Sequence, residues 1–565
     1  GANTTVNNNT AIGYQSFEGN TSGTYNTAVG ANALKLNNTG NQNTAIGAAS
    51  LQNNTGNNNT ATGYATLQNN IGSWNTATGH SALLSNTTGN SNTANGFEAL
   101  QNNTTGYQNT AIGQTSLYSN TTGYLNTAVG HYAMANNTTA SMNTAVGKGA
   151  LYSQAFSNGG TPWESDNVAI GYEALYANNP TSTINGNSNT AVGNFALRNN
   201  TTGNNNTANG YNTLYTNTIG SSNTANGMYA LYANSTGDNN TAVGYQSLWS
   251  NTSGTANTAV GLNALRLNTI GTQNTAIGVA ALGFSTGSYN TATGYSALQN
   301  NTGTYNTANG HSTLSSNTSG NNNTATGMGA LVANTIGSDN TADGRYALSS
   351  NISGNFNVAI GKNALYTNFS GARNTAIGQY ALYSNSTGNF NSALGDNALT
   401  STTGGSNTGI GQSSGSTITT GSNNTTVGYN AQVPTANGSN QVRIGNTFIS
   451  YAGIQVAWTI TSDKRLKSDI QNSNLGLAFI NKLRPVSYTR NNDATKKVEY
   501  GFIAQEIEDA LKISGASNNG IISKDDNGMY GVRYNDLLSP LVKAIQEQQQ
   551  MIEELKKEIE ALKNK

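Results

Sequence analysis

Hydrophobic and polar positions follow one short pattern, repeated along the first four hundred residues. An Asn opens a pentad of the type Asn-Thr-Ala-Val-Gly or Asn-Thr-Ala-Ile-Gly at Asn9, Asn26, Asn43, Asn59, Asn75, Asn92, Asn109, Asn126 and Asn143. The series resumes at Asn167, Asn189 and Asn206 and runs through Asn424, with a degenerate final copy at Asn440. The spacing is 16 or 17 residues, except for 24 and 22 on either side of Asn167. Idealised, the unit reads N-T-A-V-G-Y-x-A-L-x-x-N-T-T-G-x-x. The pentad is a short β-favouring run ended by its glycine, as at Gly13, Gly30 and Gly47. Four residues later stands a leucine: Leu34, Leu51, Leu67, Leu83, Leu100, Leu117. The second glycine, as at Gly40 or Gly56, suits a turn that requires positive φ.

A fixed period of this length signals a stacked repeat rather than one globular core. One Leu and one Ala per unit make no core alone. Stacked about 4.8 Å apart they become a Leu spine and an Ala ladder, while Asn and Thr rows satisfy one another between coils. About 26 such coils would make a rod of roughly 120 Å. Asn/Gly/Ser-rich composition alone would permit disorder, but the strict recurrence of Leu and Gly argues against it. The expected fold is mainly β, a 16–17-residue-repeat β-solenoid or trimeric β-rod over residues 1–438. Whether each chain winds its own coils or three chains share them is open at this level. The stretch 151–186 breaks the period and holds Pro162, Pro180, Trp163 and Glu164, residues scarce elsewhere in the repeat. Loops extruded from a rigid scaffold commonly carry binding, so Trp163 and Glu164 are the candidate lateral receptor contacts; a tolerated insertion is the alternative.

The pattern changes over residues 439–461, expected to be a β-rich junction, and is replaced from Ser462 by charged, helical sequence. Of 24 Lys/Arg and 24 Asp/Glu, 16 and 15 fall between Ser462 and Lys565. A small α+β domain is expected over 462–565. Its last stretch places Leu538, Leu541, Ile545, Gln548, Ile552, Leu555, Ile559 and Leu562 at alternating spacings of three and four, the seam of a coiled coil over 538–563. Ile at a and Leu at d nominally favour two strands.

Formal net charge is zero, which gives no reason to expect nucleic acid as a partner. The chain has no cysteine, excluding disulfides and Cys-ligated metal, and no apolar run long enough to insert in a membrane. It opens inside the repeat with no signal peptide, so it reads as a fragment whose missing N-terminal region would attach to a particle baseplate. His80, His131 and His311 all follow a pentad glycine, where Tyr14, Tyr64, Tyr172, Tyr211 and Tyr245 stand in other units. They are substitutions in a ladder, not a metal or catalytic constellation. Carboxylates in the shaft are too sparse for a glycosidase pair, and no cofactor is expected. Four units read Thr-x-Thr, at Thr60/Thr62, Thr76/Thr78, Thr291/Thr293 and Thr324/Thr326, which resembles ice-binding solenoids. The second Thr is replaced in most other units, so no long uniform plane is expected.

The segments "WTITSDKRLKSDI" (458–470), "LGLAFINKLRPVSYTRN" (475–491), "EYGFIAQEIEDAL" (499–511) and "VRYNDLLSPLVKAIQEQQQMIEEL" (532–555) follow in order. Together they closely resemble the endosialidase-type intramolecular chaperone domain that ends phage tail fibres and tailspikes. The shaft repeat resembles the heads of trimeric autotransporter adhesins and the Asn-Thr-rich shafts of phage tail fibres. The resemblance implies a homotrimer whose C-terminal domain templates the shaft and then removes itself by autoproteolysis. The motif assigns Ser462 as nucleophile and Lys467 as base, with the cut between Thr461 and Ser462. A lysine serves as base in the absence of histidine when its ammonium is destabilised. Neighbouring Lys464 and Arg465 and partial burial are expected to do this. Read without the resemblance, Ser462-Asp463 caps a short helix. Gln505 and Glu506, in "IAQE", are expected to be structural. The resemblance implies a virion or phage-like tail fibre whose partners are further copies of itself and a bacterial-surface receptor, glycan or protein. A bacterial cell-surface adhesin with the same chaperone is the alternative, and an ice-binding solenoid the second.

Overall fold

The computed structural model describes residues 8–456, 458–491, 493–517 and 519–564; residues 1–7, within the shaft expected over 1–438, and Lys565 lie outside them. The chain forms two compact units, 1–357 and 358–565.

In the first unit each pentad forms a three-residue strand: Thr10–Ile12, Thr27–Val29, Thr44–Ile46 and onward to Thr341–Asp343. Consecutive strands pair in parallel with Thr on Thr and Ala on Ala, as in Thr27↔Thr44 and Ala28↔Ala45. The second unit continues the same pairing from Val358–Ile360 to Val442–Ile444. The pentad strands number 26 over the two units among the described residues. The coils are therefore wound within one chain, a mainly β solenoid with the period read from sequence. In the final coil Thr425 pairs with Val442, and the Gln441 amide donates to Asn424 Oδ1 at 2.9 Å. Gln441, not Asn440, therefore occupies the last pentad position.

Strand alternation explains the repeat. The central Ala points inward and is fully buried, as at Ala28, Ala45 and Ala61, while the flanking Thr and Val or Ile face outward. Leu34, Leu51 and Leu67 are likewise fully buried and stack into the expected spine. Two asparagine rows run beside them. In the pentad row, Asn26 donates to the Gly40 carbonyl at 2.9 Å and accepts from the Asn43 amide at 2.9 Å. In the second row, Asn54 donates to Asn37 Oδ1 and Asn70 to Asn54 Oδ1, at 2.9 and 2.8 Å. Buried amides this numerous are tolerated because nearly all are paired, mostly along the axis; in the second row Asn137 Oδ1 and Asn268 Oδ1 are buried without a partner.

The glycines divide their work differently from the sequence expectation. The pentad glycine has positive φ (+135° at Gly30), and a Cβ there would meet the next coil's Gly47 oxygen at 2.5 Å. The second glycine, as at Gly40, Gly56 or Gly220, is not in the positive-φ region. It is required by space instead: a Cβ on Gly220 would lie 2.5 Å from both Asn217 Oδ1 and the Gly237 oxygen. The left-handed turns fall on the spine leucines themselves, with φ +50° at Leu34 and +48° at Leu51. That conformation costs an L-residue about 1 kcal/mol, and full burial of a leucine returns about 2 kcal/mol.

In the second unit, beyond Ile444 and up to Ser462 no strand forms among the described residues, and Tyr451, Val456, Trp458 and Ile460 are exposed. The junction expected to be β-rich is so only at Val442–Ile444. The C-terminal α+β part follows, with helices α1 (Leu477–Ile480), α2 (Ala504–Ile513) and α3 (Leu538–Lys563). Two antiparallel hairpins pair Val486–Thr489 with Val498–Gly501 and Ile522–Lys524 with Tyr530–Val532. Leu475, Phe479, Ile507, Leu511, Ile521 and Leu537 form its core. The turn of the second hairpin meets the last coil: Asp526 N donates to the Pro434 oxygen at 2.9 Å, and Ala436 N to Asp526 Oδ2 at 2.7 Å.

Candidate active site

Ser462 closes the extended junction, and the chain then tightens into a 3₁₀ turn, Lys464–Leu466. Asp463 caps it, its Oδ1 accepting from Arg465 N at 2.8 Å. The same carboxylate takes a two-pronged contact from the Arg465 guanidinium, with Nη2 to Oδ2 at 2.7 Å. The Arg465 bonds, side chain first and backbone second, hold the Asp463 carboxyl below its usual range, and Asp463 raises Arg465 in return. The turn brings Lys467 back over Ser462, and Lys467 Nζ lies 2.6 Å from Ser462 Oγ. Capping and the Ser-Lys contact are thus compatible, because Asp463 makes the cap and leaves Ser462 free for the lysine.

Two features differ from the sequence expectation. Residues 462–470 are all exposed in the single chain, so nothing within one chain supplies the partial burial. Arg465 is neutralised by Asp463 rather than turned toward Lys467. A lysine at this distance serves as a base toward a serine only as the neutral amine, with the hydroxyl donating to it.

Downstream, Glu506 pairs with Arg484, and the Arg484 hydrogen bond holds the Glu506 carboxyl low. This fixes α2 against the segment before the first hairpin. Glu547 on α3 accepts from Leu477 N at 2.7 Å and bonds Lys543, joining α1 to α3. The seam residues Leu541, Ile545, Gln548, Ile552, Leu555, Ile559 and Leu562 all lie on α3 and are exposed or half-exposed.

The other sequence candidates fall elsewhere. Trp163 is buried, packed edge-on against Phe156 in the strand Trp163–Glu164, which pairs with Ala140–Ser141. It fills the space made by the insertion and is not presented as a receptor contact; Glu164 is exposed and accepts from Tyr124 Oη at 3.3 Å. His80 sits stacked between Tyr64 and Phe97, and His311 stacks on Tyr295 at 5.0 Å. Half-buried aromatic rings form columns along the axis: Tyr152 on Tyr176 at 4.9 Å and 4°, and Tyr215, Tyr232 and Trp249 in sequence. Arg198 stands between Tyr176 and Tyr215 and bonds Glu173 at 2.7 Å. Neighbouring coils cover the ring faces, so these columns offer edges, not stacking platforms. The Arg198–Glu173 pair was not singled out in the sequence; Arg198 is recognisable afterwards as the cation among Tyr152, Tyr176, Tyr215 and Tyr232, the residues that follow the spine Leu in the neighbouring coils.

Among the described residues no group of three His, Asp or Glu could hold a metal, and no helix is long and apolar enough to cross a membrane. The family model described as chaperone of endosialidase matches residues 462–515. The match starts at Ser462 and covers the first half of the C-terminal region; the hairpin 522–532 and α3 lie beyond it. No curated protein and no solved structure matches the chain. The chain is thus a β-solenoid followed by a segment similar to a self-cleaving folding chaperone.

Proposed function

We propose that the chain is the shaft of a homotrimeric tail fibre that adheres to a bacterial surface. In this reading its C-terminal domain drives trimerisation and folding and is then released between Thr461 and Ser462. The observation that carries this is the 2.6 Å approach of Lys467 Nζ to Ser462 Oγ at the first residue of the chaperone match. Neutral Lys467 takes the Ser462 hydroxyl proton as Oγ bonds the Thr461 carbonyl carbon. Collapse breaks the Thr461–Ser462 C–N bond, and the Ser462 amine takes the proton back from Lys467. Water then hydrolyses the resulting ester, leaving a Thr461 carboxylate and a free Ser462 hydroxyl. The attack is within one dipeptide, so positioning supplies much of the rate. Exposure of the dyad in one chain fits a site desolvated only by neighbouring copies, which would make release follow assembly. The exposed α3 seam supports self-association.

The experiment is intact mass of purified wild type beside Ser462→Ala and Lys467→Ala variants. Wild type ending at Thr461 with both variants full length is the expected result; equal cleavage in all three overturns the dyad.

A further inference from the structure

The outward residue at the third position of each strand, in the first unit, follows a pattern longer than the repeat. It reads Ile12, Val29, Ile46, then Thr62, Thr78, Asn95. Next come Ile112, Val129, Val146, Ile170, Val192, then Asn209, Asn226. Val243, Val260, Ile277 follow, and Thr293, Asn309, Thr326, Asp343 close the row. The outward first position shows no such alternation and is Thr in every one of these strands except Val168. Apolar blocks of three, five and three coils thus alternate with polar blocks of three, two and four. The apolar members are exposed or half-exposed in one chain, with Ile112 at 41%, Ile170 at 40% and Ile277 at 44%, and Val29, Val129, Val192 and Val243 half-exposed. Coil geometry does not demand the change, since Thr, Asn, Val and Ile occupy the same register with the same inward Ala. The pattern therefore answers to something outside the coil.

We propose that this row is the seam along which copies of the chain pack, in contact at the apolar blocks and hydrated at the polar ones. The proposal rests on the self-association read above and specifies its surface and register. The occupant is a second copy because the unequal block lengths match a parallel copy at zero offset. There every Ile or Val meets an Ile or Val. A shift of one coil sets Ile or Val against Thr or Asn at each block boundary. An antiparallel copy laid end to end mismatches most of the row, whereas one slid along until Ile277 faces Ile12 mismatches only Asn95 against Val192, so the row sets the register and the shared C-terminal domain sets the parallel direction. Asp343, the single charge in the row, stands in a polar block, where a hydrated gap tolerates it and an apolar contact would not. The shaft thereby carries its own register code, complementing the register imposed by a C-terminal template.

The chain has no cysteine, so single-cysteine variants of the full chain report one position each. Ile170→Cys and Asn226→Cys test an apolar and a polar block, and Thr88→Cys, exposed off the strand face, is the reference. Light scattering gives the assembly state, and maleimide labelling rates give accessibility. The expected result is an oligomer in which Ile170→Cys reacts at least about tenfold more slowly than Thr88→Cys, with Asn226→Cys close to the reference. Mild oxidation should link Ile170→Cys chains into dimers on a non-reducing gel. Fast labelling at Ile170 in an oligomer overturns the seam. Slow labelling at both strand positions overturns the block division. A monomer by scattering overturns the self-association reading itself, and the seam with it.

Discussion

Replacing Asn217 by Ala removes one rung of the second asparagine row without touching any strand. Asn217 is fully buried. Its Nδ2 donates to Asn200 Oδ1 at 2.8 Å and to the Gly220 oxygen at 2.9 Å, and its Oδ1 accepts from Asn234 Nδ2 at 2.8 Å. The Gly220 oxygen keeps the Asn206 amide, and Asn234 keeps the Gly237 oxygen. Asn200 Oδ1, by contrast, loses its side-chain donor. One stranded buried acceptor costs about 1–3 kcal/mol and each further lost bond about 1 kcal/mol, so the variant should lose about 3 kcal/mol locally. Repeat arrays unfold by neighbouring units, so native-state hydrogen exchange is the suitable assay. Amides of coils 200–237 should lose about a hundredfold in protection, while distant coils keep theirs. Thr207→Val, on the exposed strand face, should change protection by less than about 0.5 kcal/mol equivalent. Equal protection in wild type and Asn217→Ala would refute the claim that paired amides hold the coils together.

Two further outcomes follow from the same packing. Leu231→Ala empties part of the spine while keeping a left-handed L-residue, so it should cost about 3 kcal/mol, read by the same exchange experiment around residue 231. Burial by itself would raise the Glu173 carboxyl, but the hydrogen bonds from Arg198 and then Tyr172 outweigh it and hold the group low. Its stabilisation is therefore complete above the ordinary carboxylate range and lost as pH falls through the depressed folded value. Glu173→Gln should lower local stability by about 1 kcal/mol at neutral pH and remove this acid-limb dependence, measured as melting temperature against pH.

The period, the inward Ala, the Leu spine and the Asn ladders were legible because each recurs at a fixed offset with one physical job; that the Asn rows are buried while the strand Thr face outward was not. Backbone conformation was not. Leu34 and Leu51 have left-handed backbones that nothing in a leucine announces, whereas the second glycine, which invites that assignment, is there for clearance from Asn and the neighbouring carbonyl. Trp163 misled for a related reason. An aromatic in an irregular insertion suggests a protruding contact, but the insertion folds back as a strand on Ala140–Ser141 and buries the ring. At the C-terminal site, the resemblance to the chaperone domain, rather than the residues read alone, pointed to Ser462 and Lys467. It gave neither the pairing of Arg465 with Asp463 nor the exposure of the dyad, both set by the turn at Lys464–Leu466.

The most direct test of the whole account is native mass spectrometry of freshly purified full-length expression product. The account predicts one assembly of three shafts, each ending at Thr461, with the fragment beginning at Ser462 separate from it. Intact chains throughout, or shafts that are cleaved but monomeric, would contradict it.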